Sequence, residues 1–335
     1  MPCRLLLAVC LVLTLICPVR WCLSDDSKAG QPKAEGKSVE KTGKEAGTKP
    51  KDKFVRLRRN DKNQPIAMET AVVQFALADG SQPDLIVDLV GAIHVGDKRY
   101  YEELNKLFES YEVVLYELVA PEGTRVPKEG RQGGGAHPIG MLQDGMKMML
   151  ELEHQLDNID YNKENFVHAD MSPEEFSKTM TNRGESFMQM YFRMMGQGMA
   201  QQAKSGNSSS GDAAILMALF SRDRAHKLKL AMAEQFENME GQLDVLSGPE
   251  GSTIITERNK KAFEVLDKQL KAGKKKIAVF YGAGHFQDMQ ERLVKDFAMK
   301  RTKENWLTAW ALEKPIKAEK KPESDKTPVE SKDQK

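Results

Sequence analysis

Apolar runs in the N-terminal third of the chain predict a pair of β-strands. Ile66 to Ala78 has the β-branched and aromatic composition of a strand, and Asp84 to Ile93 is a second, more apolar run. The turn-forming residues Asp79-Gly80-Ser81 lie between the two runs. This order predicts a β-hairpin whose second strand leads directly into His94.

An amphipathic helix and a further strand are predicted to follow the hairpin. Gly96-Asp97 offers a helix start, after which apolar residues recur on one helical face, at Tyr100, Leu104, Leu107 and Phe108. Tyr111 to Val119 then forms a buried strand. Strand, helix and strand within about 35 residues match the length of a βαβ unit with a parallel strand pair.

The middle of the chain has a different pattern, which predicts mostly helix from about Met141 to Met239. A glycine-rich loop, Gly130 to Gly140, precedes it, and Ser205 to Gly211 is typical of a hinge between helices. Ser172-Pro173-Glu174-Glu175 predicts a helix start with a serine cap and a capping box. Methionines are frequent from Met188 to Met199, which fits either core filling or an adaptable surface for a peptide or lipid.

The C-terminal part returns to alternating helices and strands. A helix after Ser252 is predicted to end at Gly273, with apolar residues at Ile255, Phe263, Leu266 and Leu270. A short apolar strand, a helix and an edge strand follow, at Lys276 to Tyr281, Phe286 to Met299 and Asn305 to Leu312. We therefore predict one α/β domain, residues 58–313, whose mixed sheet combines N-terminal and C-terminal segments around a large helical insertion at about 138–240.

The two ends of the chain are predicted to lie outside this domain. Residues 1–23 combine Arg4 with the uncharged run Leu5 to Cys17, which is typical of a signal peptide and short for a membrane span. Because no clear cleavage site follows, the same segment would also serve as an uncleaved N-terminal tether. Residues 24–57 and 314–335 have few large apolar side chains, which predicts a Lys-rich disordered linker and a disordered tail.

Composition and charge narrow the chemistry. All four cysteines lie in the predicted leader, so the domain has no thiol for a disulfide, a nucleophile or a metal ligand. The formal net charge is +1 and acidic residues are interleaved with basic ones, so we expect no nucleic-acid partner. The leader predicts an exported protein, in the periplasm, outside the cell or at its surface, and a tether would allow peripheral membrane contact.

Histidines in the pattern Gly-x-x-His mark two strand ends. His94 and His285 each follow an apolar strand and precede a helix, whereas the third match, ending at His137, lies in a glycine run. Glycine lets the backbone turn sharply, and the histidine then projects over the carboxyl edge of the sheet, where open α/β sheets bind ligands. We therefore predict that His94 and His285 meet at this edge.

Glu117 interrupts the apolar run Val113 to Val119, so its carboxylate is predicted to be buried and to need a cation or hydrogen-bond donors. Together with the two imidazoles it would form an N,N,O ligand set suited to Zn, Mn, Co or Fe(II), with open positions for water and substrate. The alternative is a dry salt bridge between Glu117 and Arg258. His168 or Asp170 would add ligands, although a turn before a helix also explains them.

Four short segments resemble the TraB/GumN family, which is related to the Tiki metalloproteases. They lie within a match from about Ala67 to Leu312 and are Gly91-Ala92-Ile93-His94-Val95-Gly96, Tyr116-Glu117-Leu118, Glu257-Arg258-Asn259 and Gly282-Ala283-Gly284-His285. The resemblance implies an α/β fold related to the erythromycin esterase and haem-binding ChaN proteins. For the Tiki branch it implies a divalent-metal peptidase that uses both Gly-x-x-His histidines and a glutamate.

The resemblance gives metal-binding roles to His94, His285 and Glu117, and it matches Arg258 to the arginine of the family's Glu-Arg-Asn motif. The chain departs from the family where Phe286-Gln287-Asp288 follows the second motif, because leucine and then glycine are usual there. This departure concerns the shape of one side of the predicted pocket.

Several functions remain open from the sequence. The first is metal-dependent hydrolysis of a peptide or similar amide, with Glu117 as ligand or general base and Arg258 steadying the oxyanion or the glutamate. The second is a non-catalytic protein that binds an extracytoplasmic peptide or haem in the same pocket. The third is a cell-surface scaffold with a degenerate site. The expected partner of the first is a peptide or small-molecule substrate.

Overall fold

The computed structural model describes residues 52–126, 152–186, 220–240 and 251–313, together with a few isolated positions between these segments. The predicted leader, most of the linker, the glycine-rich loop with His137, most of the methionine-rich segment, the hinge and the tail lie outside the described residues. Within the described residues, no helix combines the length and apolarity that a membrane crossing requires.

The described strands and helices alternate along most of the chain. The strands are β1 (Val55–Arg59), β2 (Pro65–Leu77), β3 (Ile86–Ala92), β4 (Val95–Gly96), β5 (Val113–Tyr116), β6 (Glu153–His154), β7 (Phe166–His168), β8 (Lys276–Gly282) and β9 (Met299–Ala311). The helices are α1 (Lys98–Phe108), α2 (Gln155–Asn158), α3 (Pro173–Asn182), α4 (Arg224–Glu240), α5 (Arg258–Lys271) and α6 (Phe286–Lys295). A π-helical turn, Thr253–Glu257, leads into α5, and a 3-10 turn, Ala283–His285, leads into α6.

The main sheet is mixed and joins the two ends of the domain, as predicted. Its strand order is β1-β2-β3-β8-β5-β7. Strand β9 also pairs with β2, outside this linear order. Strand β2 is antiparallel to β1, β3 and β9, whereas β3, β8, β5 and β7 are mutually parallel. The chain is therefore an α/β protein with a parallel half and an antiparallel half in one sheet.

The predicted hairpin is confirmed, but the predicted βαβ pair needs a correction. Strands β2 and β3 pair antiparallel, with Val72 opposite Val90 and Ala76 opposite Ile86. Strands β3 and β5 are parallel and connected by α1, yet they are not neighbours, because β8 lies between them and pairs with both. Strand β8 is buried along almost its whole length and thus suits the centre of a parallel sheet covered on both faces.

The prediction of a mostly helical middle was wrong for its described first part. Strand β6 forms a small second sheet with β4, and β7 extends the main sheet beside β5. These strands have two and three residues, which is too short for a period-2 pattern to be visible in the sequence. Two boundaries also differ, because β1 begins inside the predicted linker and β9 begins at Met299, inside the predicted helix.

Apolar side chains fill both faces of the main sheet. Helix α1 packs on one face, where Tyr100, Leu104 and Phe108 belong to the same buried cluster as strand residues such as Phe280. Helices α5 and α6 cover the other face, with a second cluster that includes Phe263, Leu266, Phe286, Leu293 and Val279. Successive residues of the central strands point alternately into these two clusters, so the strands are apolar on both faces. Polar groups are therefore expected at the strand ends rather than within the strands.

The start of helix α3 agrees with the sequence prediction. The Ser172 hydroxyl accepts a hydrogen bond from the Glu175 backbone N–H at 3.1 Å, and the Glu175 carboxylate accepts one from the Ser172 N–H at 2.8 Å. Pro173 occupies the first turn. This is a complete capping box, which satisfies two backbone donors that a helix start otherwise leaves unpaired.

A buried carboxylate at the amino end of β3 yields a pH-dependent prediction. The Tyr111 hydroxyl donates to Asp88 Oδ2 at 2.5 Å, but Asp88 Oδ1 has no hydrogen-bond partner among the described residues. Burial raises the pKa of Asp88, and its hydrogen bonds with Tyr111 and Gln74 oppose this only in part. Ionised Asp88 therefore destabilises the fold, and this cost appears as the pH rises through the raised pKa.

We expect Asp88→Asn to increase the free energy of unfolding by about 1 kcal/mol at pH 7, because an amide keeps the Tyr111 contact without a buried charge. The gain should shrink as the pH falls below the raised pKa of Asp88 and vanish below its ordinary pKa of 3.8, where Asp88 is protonated in both the folded and the unfolded wild type. Urea unfolding of both proteins between pH 3 and pH 8 measures this. A difference that stays constant across this range would contradict the assignment.

Candidate functional site

The register of the parallel strands places the two Gly-x-x-His turns side by side. In the β3–β8 pair, Gly91 lies opposite Tyr281 and Ala92 lies opposite Gly282, so the two motifs are offset by one residue. His94 and His285 follow directly from these strand ends at the carboxyl edge of the sheet. The prediction that distant segments bring these turns together is confirmed.

Glu117 lies on the other side of β8 from His94, at the carboxyl end of β5. Its backbone N–H donates to the Phe280 carbonyl at 3.2 Å, which continues the β5–β8 ladder by one residue. Its carboxylate Oε2 accepts a hydrogen bond from the Gly282 backbone N–H at 2.7 Å. The second Gly-x-x-His motif therefore also supplies a backbone donor that orients Glu117.

Arg258 binds Glu117 directly, which was the alternative that the sequence left open. Arg258 Nη2 donates to Glu117 Oε1 at 2.7 Å, and the two side chains are only 2% and 6% exposed. Arg258 is the first residue of α5, so the start of this helix places the guanidinium next to the end of β5. Burial makes this a dry ion pair, whose charges water cannot screen.

Asp170 completes the ion-pair cluster, whereas the sequence left it open as a metal ligand or a turn residue. Arg258 donates to Asp170 through Nε at 2.9 Å and through Nη2 at 2.5 Å, a bidentate contact. Asp170 lies two residues after β7, and it also accepts from the Met171 backbone N–H at 2.8 Å. The signal in the sequence was an acidic residue beside a strand end, but β7 itself was not predicted.

His285 faces Glu117 and is held from behind by Asn259. His285 Nε2 lies 3.6 Å from Glu117 Oε1, and His285 Nδ1 lies 2.6 Å from Asn259 Oδ1. Asn259 is fully buried and follows Arg258 on α5, so one helix start holds both the glutamate and the histidine. In the sequence, Asn259 belongs to the Glu-Arg-Asn motif but has no predicted role.

His94 is the more exposed of the two histidines, although its Nε2 atom is buried and has no hydrogen-bond partner in the described part of the chain. Its carbonyl accepts from the Gln155 backbone N–H at 2.9 Å, next to the β4–β6 pair. Gln155 donates to the Tyr161 hydroxyl at 2.7 Å, and its Oε1 is also buried without a partner within the described residues. Neither Gln155 nor Tyr161 stood out in the sequence.

His168, the other ligand that the sequence left open, does not join the cluster. Its Nε2 lies 2.5 Å from the Leu118 carbonyl, and its ring packs beside Tyr116. This contact ties β7 to the residues that follow β5. His168 therefore serves the packing of the sheet edge next to the site.

The charges of the cluster set the protonation of its members. Burial alone would raise the pKa of Glu117, but Arg258, the two histidines and the Gly282 N–H lower it to about 2. Burial lowers the pKa of His285 to about 4, with Arg258 acting in the same direction and Glu117 against it. Burial likewise lowers the pKa of His94, while Glu117 and the side chain of Gln155 oppose this in part. At neutral pH the site therefore holds an ionised carboxylate and two neutral imidazoles.

These protonation states are the ones that a metal ion needs in its ligands. The 3.6 Å between His285 Nε2 and Glu117 Oε1 suits two ligands that each lie about 2.0–2.2 Å from one metal. Each carboxylate oxygen has two lone pairs. Arg258 occupies one lone pair of Glu117 Oε1, so the other is available to bind a metal ion. As they stand, however, no three His, Asp or Glu side chains of the described residues are grouped closely enough to hold a metal ion.

Gly91 is required for a reason other than the one expected from its motif. A Cβ at Gly91 would lie 3.1 Å from the Ala71 carbonyl oxygen and 3.2 Å from the Thr70 Cβ, so the missing side chain makes room for β2 rather than for a ligand. Strand β2 cannot shift easily because it is paired on both sides.

We expect Gly91→Ala to lower the free energy of unfolding by about 1–3 kcal/mol, because the added methyl group overpacks the contact with β2. Gly196→Ala is the control, since a Cβ there meets no atom of the described residues within 4 Å. Thermal or urea unfolding of the two variants measures the difference. Equal stability of the two variants would show that β2 and β3 can separate at little cost.

The described fold and site define an α/β protein with a buried Glu–Arg–Asp cluster at the carboxyl edge of its parallel strands, next to two strand-end histidines. Comparison of the chain with protein-family models, with curated proteins and with solved structures gave no match. The evidence for function therefore comes from the residues of the site.

Proposed function

We propose that the protein is a hydrolase that cleaves a peptide or a similar amide with the help of a divalent metal held by His94, His285 and Glu117. The observation that carries this proposal is the approach of His285 Nε2 to Glu117 Oε1 at 3.6 Å, in a site where both imidazoles are neutral. The buried Nε2 of His94 supports the same reading, because it makes no hydrogen bond of normal geometry within the described residues, although the side chain of Gln155 lies close enough to affect the pKa of the ring.

The bound metal would lower the pKa of a water molecule and polarise the carbonyl of the substrate. His94 and His285 would hold it through their ring nitrogens, from two turns that the sheet register fixes side by side. Glu117 would act as the third ligand or as the general base. The low pKa of Glu117 keeps its carboxylate ionised over the whole physiological pH range, which suits the role of ligand better than that of base.

Arg258 acts in this proposal on Glu117 rather than on the substrate. Both contacts of Arg258 with carboxylates are buried, and its remaining Nη1 atom is inaccessible to water and unpartnered within the described segments. Arg258 is therefore better placed to orient Glu117 than to contact an oxyanion. Asp170 fixes the guanidinium through hydrogen bonds from Nε and Nη2, and Nη2 also donates to Glu117.

The proposal extends to the family and to the location of the protein. The four motif segments that resemble the TraB/GumN family include His94, Glu117, Arg258 and His285, which the fold brings to one sheet edge. We propose on this basis that the fold is of the Tiki and erythromycin-esterase type. The apolar run in residues 1–23 supports export, either as a cleaved signal peptide or as a tether.

Metal analysis of the full-length chain tests the proposal. The protein is equilibrated with Mn²⁺, Co²⁺, Zn²⁺ or Fe²⁺, desalted and analysed by elemental mass spectrometry, and the wild type is expected to retain about one metal per chain. His94→Ala and His285→Ala are expected to lose it. His168→Ala is the matched control, because His168 is a neighbouring, partly buried histidine that binds the Leu118 carbonyl instead.

The result also separates the proposed hydrolase from a binding protein. Equal metal content in the wild type and all three variants would reject the metal site. A Soret band on addition of haem that is lost in His94→Ala would favour the haem-binding alternative instead. Metal-stimulated cleavage of a peptide library by the wild type, absent in His285→Ala, would support hydrolysis directly.

A further inference from the structure

We infer that Asn259, anchored by Asp288, is a positioning residue that sets the tautomer of His285, so that Nδ1 carries the proton and Nε2 presents its lone pair to Glu117. This inference rests on the proposed function for its effect on metal affinity. The tautomer itself can be measured without any metal, so the two can fail separately.

The orientation of the Asn259 amide follows from its partners. Asn259 Nδ2 donates to the His285 carbonyl at 3.0 Å and to Asp288 Oδ2 at 2.8 Å. Both partners are oxygen atoms that only accept hydrogen bonds, so the reverse orientation would bring the amide oxygen against two acceptors. The amide oxygen must therefore face His285 Nδ1, at 2.6 Å.

The proton on His285 follows from the same reasoning. An amide oxygen cannot donate, so a hydrogen bond of 2.6 Å requires a proton on Nδ1. A neutral imidazole with this proton has a bare lone pair on Nε2. The separation of 3.6 Å between Nε2 and Glu117 Oε1 agrees with this assignment, since it is longer than the usual N–H to oxygen hydrogen bond.

Asp288 is anchored in turn by Arg292, one turn further along α6. Arg292 donates to Asp288 through Nε at 2.7 Å and through Nη2 at 3.2 Å, which fixes the plane of the carboxylate. Asp288 is also one of the residues at which the chain departs from the family pattern. At this point of departure the chain therefore has a carboxylate that accepts a hydrogen bond from Asn259. This hydrogen bond helps to fix the Asn259 amide against His285.

The arrangement matches the way in which outer groups tune metal-binding histidines. A ligating imidazole commonly donates its other N–H to a carbonyl or carboxylate oxygen, which fixes the ring and raises its basicity, and loss of such a partner costs about 10- to 100-fold in metal affinity. Without Asn259, the proton could move to Nε2 and donate to Glu117 Oε1. That hydrogen bond would block the nitrogen and the oxygen that the metal needs.

Long-range ¹H–¹⁵N correlation spectra of full-length protein labelled with ¹⁵N-histidine, recorded with a chelator present, report which ring nitrogen carries the proton. A spectrum of His285→Gln assigns the His285 signals among the six histidines. We expect the Nδ1–H form in the wild type and a major Nε2–H population in Asn259→Leu. Titration with Zn²⁺ alone should show a 10- to 100-fold weaker affinity in Asn259→Leu.

Two further variants make the test specific. The reciprocal exchange Asn259→Asp with Asp288→Asn loses the donor to the His285 carbonyl, but it keeps an acceptor for Nδ1–H and a hydrogen bond between the two side chains, so it should keep the proton on Nδ1. Asn165→Leu is the control, because Asn165 is a partly buried asparagine whose amide donates to the Phe108 and Tyr111 carbonyls. It should lower stability without moving the His285 proton.

A wild-type spectrum with the proton on Nε2 would overturn the inference, and so would an Asn259→Leu protein with unchanged tautomer and Zn²⁺ affinity. If Asn259→Leu fails to fold, the wild type and the reciprocal exchange decide the question. If the tautomer responds as described but the wild type binds no Zn²⁺, the positioning role is supported and the proposed metal function is rejected.

Discussion

Replacing Arg258 with methionine is expected to lower the free energy of unfolding by about 3–5 kcal/mol, because it leaves two buried carboxylates without their cation. Arg258 makes three hydrogen bonds to Glu117 and Asp170, and all three side chains are almost completely buried. Methionine fills much of the same space, so the loss of stability would come mainly from the unpaired charges and less from a cavity. The cluster is thus predicted to be the most sensitive electrostatic site of the described fold.

The matched control for this prediction is Arg56→Met. Glu69 is a buried carboxylate that pairs with two arginines, Arg56 and Arg58, so the loss of Arg56 still leaves it one cation. Arg56 is also 40% exposed, and we expect its loss to cost less than about 1 kcal/mol. Urea unfolding followed by circular dichroism measures both variants. An equally small loss for Arg258→Met would show that Glu117 and Asp170 are not both ionised in the folded protein.

The second large effect is expected from Glu117→Gln, which should reduce hydrolysis by about 100- to 10,000-fold, the range associated with loss of a general base. An amide has one acceptor oxygen, whereas Glu117 accepts from Arg258 on one oxygen and from Gly282 on the other. Glutamine can satisfy only one of these donors, which should also cost about 1–3 kcal/mol of stability. Asp170 continues to pair with Arg258, so the fold should survive.

Metal content and peptide hydrolysis should be measured together on this variant. Loss of both would make Glu117 a ligand, whereas loss of hydrolysis with retention of the metal would make it the general base. Glu69→Gln is the control, since Glu69 is equally buried and paired with arginine but lies on β2, and it should keep both properties. Hydrolysis at the wild-type rate in Glu117→Gln would exclude Glu117 from the chemistry.

Local patterns in the sequence were sufficient for most of the strands and helices. The β2–β3 hairpin, helix α1, strand β8 and the capping box at Ser172 all agree with prediction. Each depends on residues that lie close together in the chain, namely apolar periodicity, turn formers or a capping pair. Such signals can be recognised because all the residues that produce each one lie within a short stretch of the sequence.

The neighbours of each strand could not be read in the same way. Nothing in the sequence near β3 or β5 indicates that β8 lies between them. The order of the strands depends on how the C-terminal segment packs against the N-terminal segment. The short strand β7 has three residues and pairs with β5 at the end of the sheet order. Its position in turn brings Asp170 next to Arg258.

The sequence by itself determined the candidate residues of the site: the two strand-end histidines, and a carboxylate in a run that is otherwise apolar. The tertiary structure alone decided how those groups are held, with Arg258 and the Gly282 N–H on Glu117, and Asn259 behind His285. The physical reason is that a buried charge or imidazole marks its own position by contrast with apolar neighbours, whereas its partners are chosen by packing between distant segments.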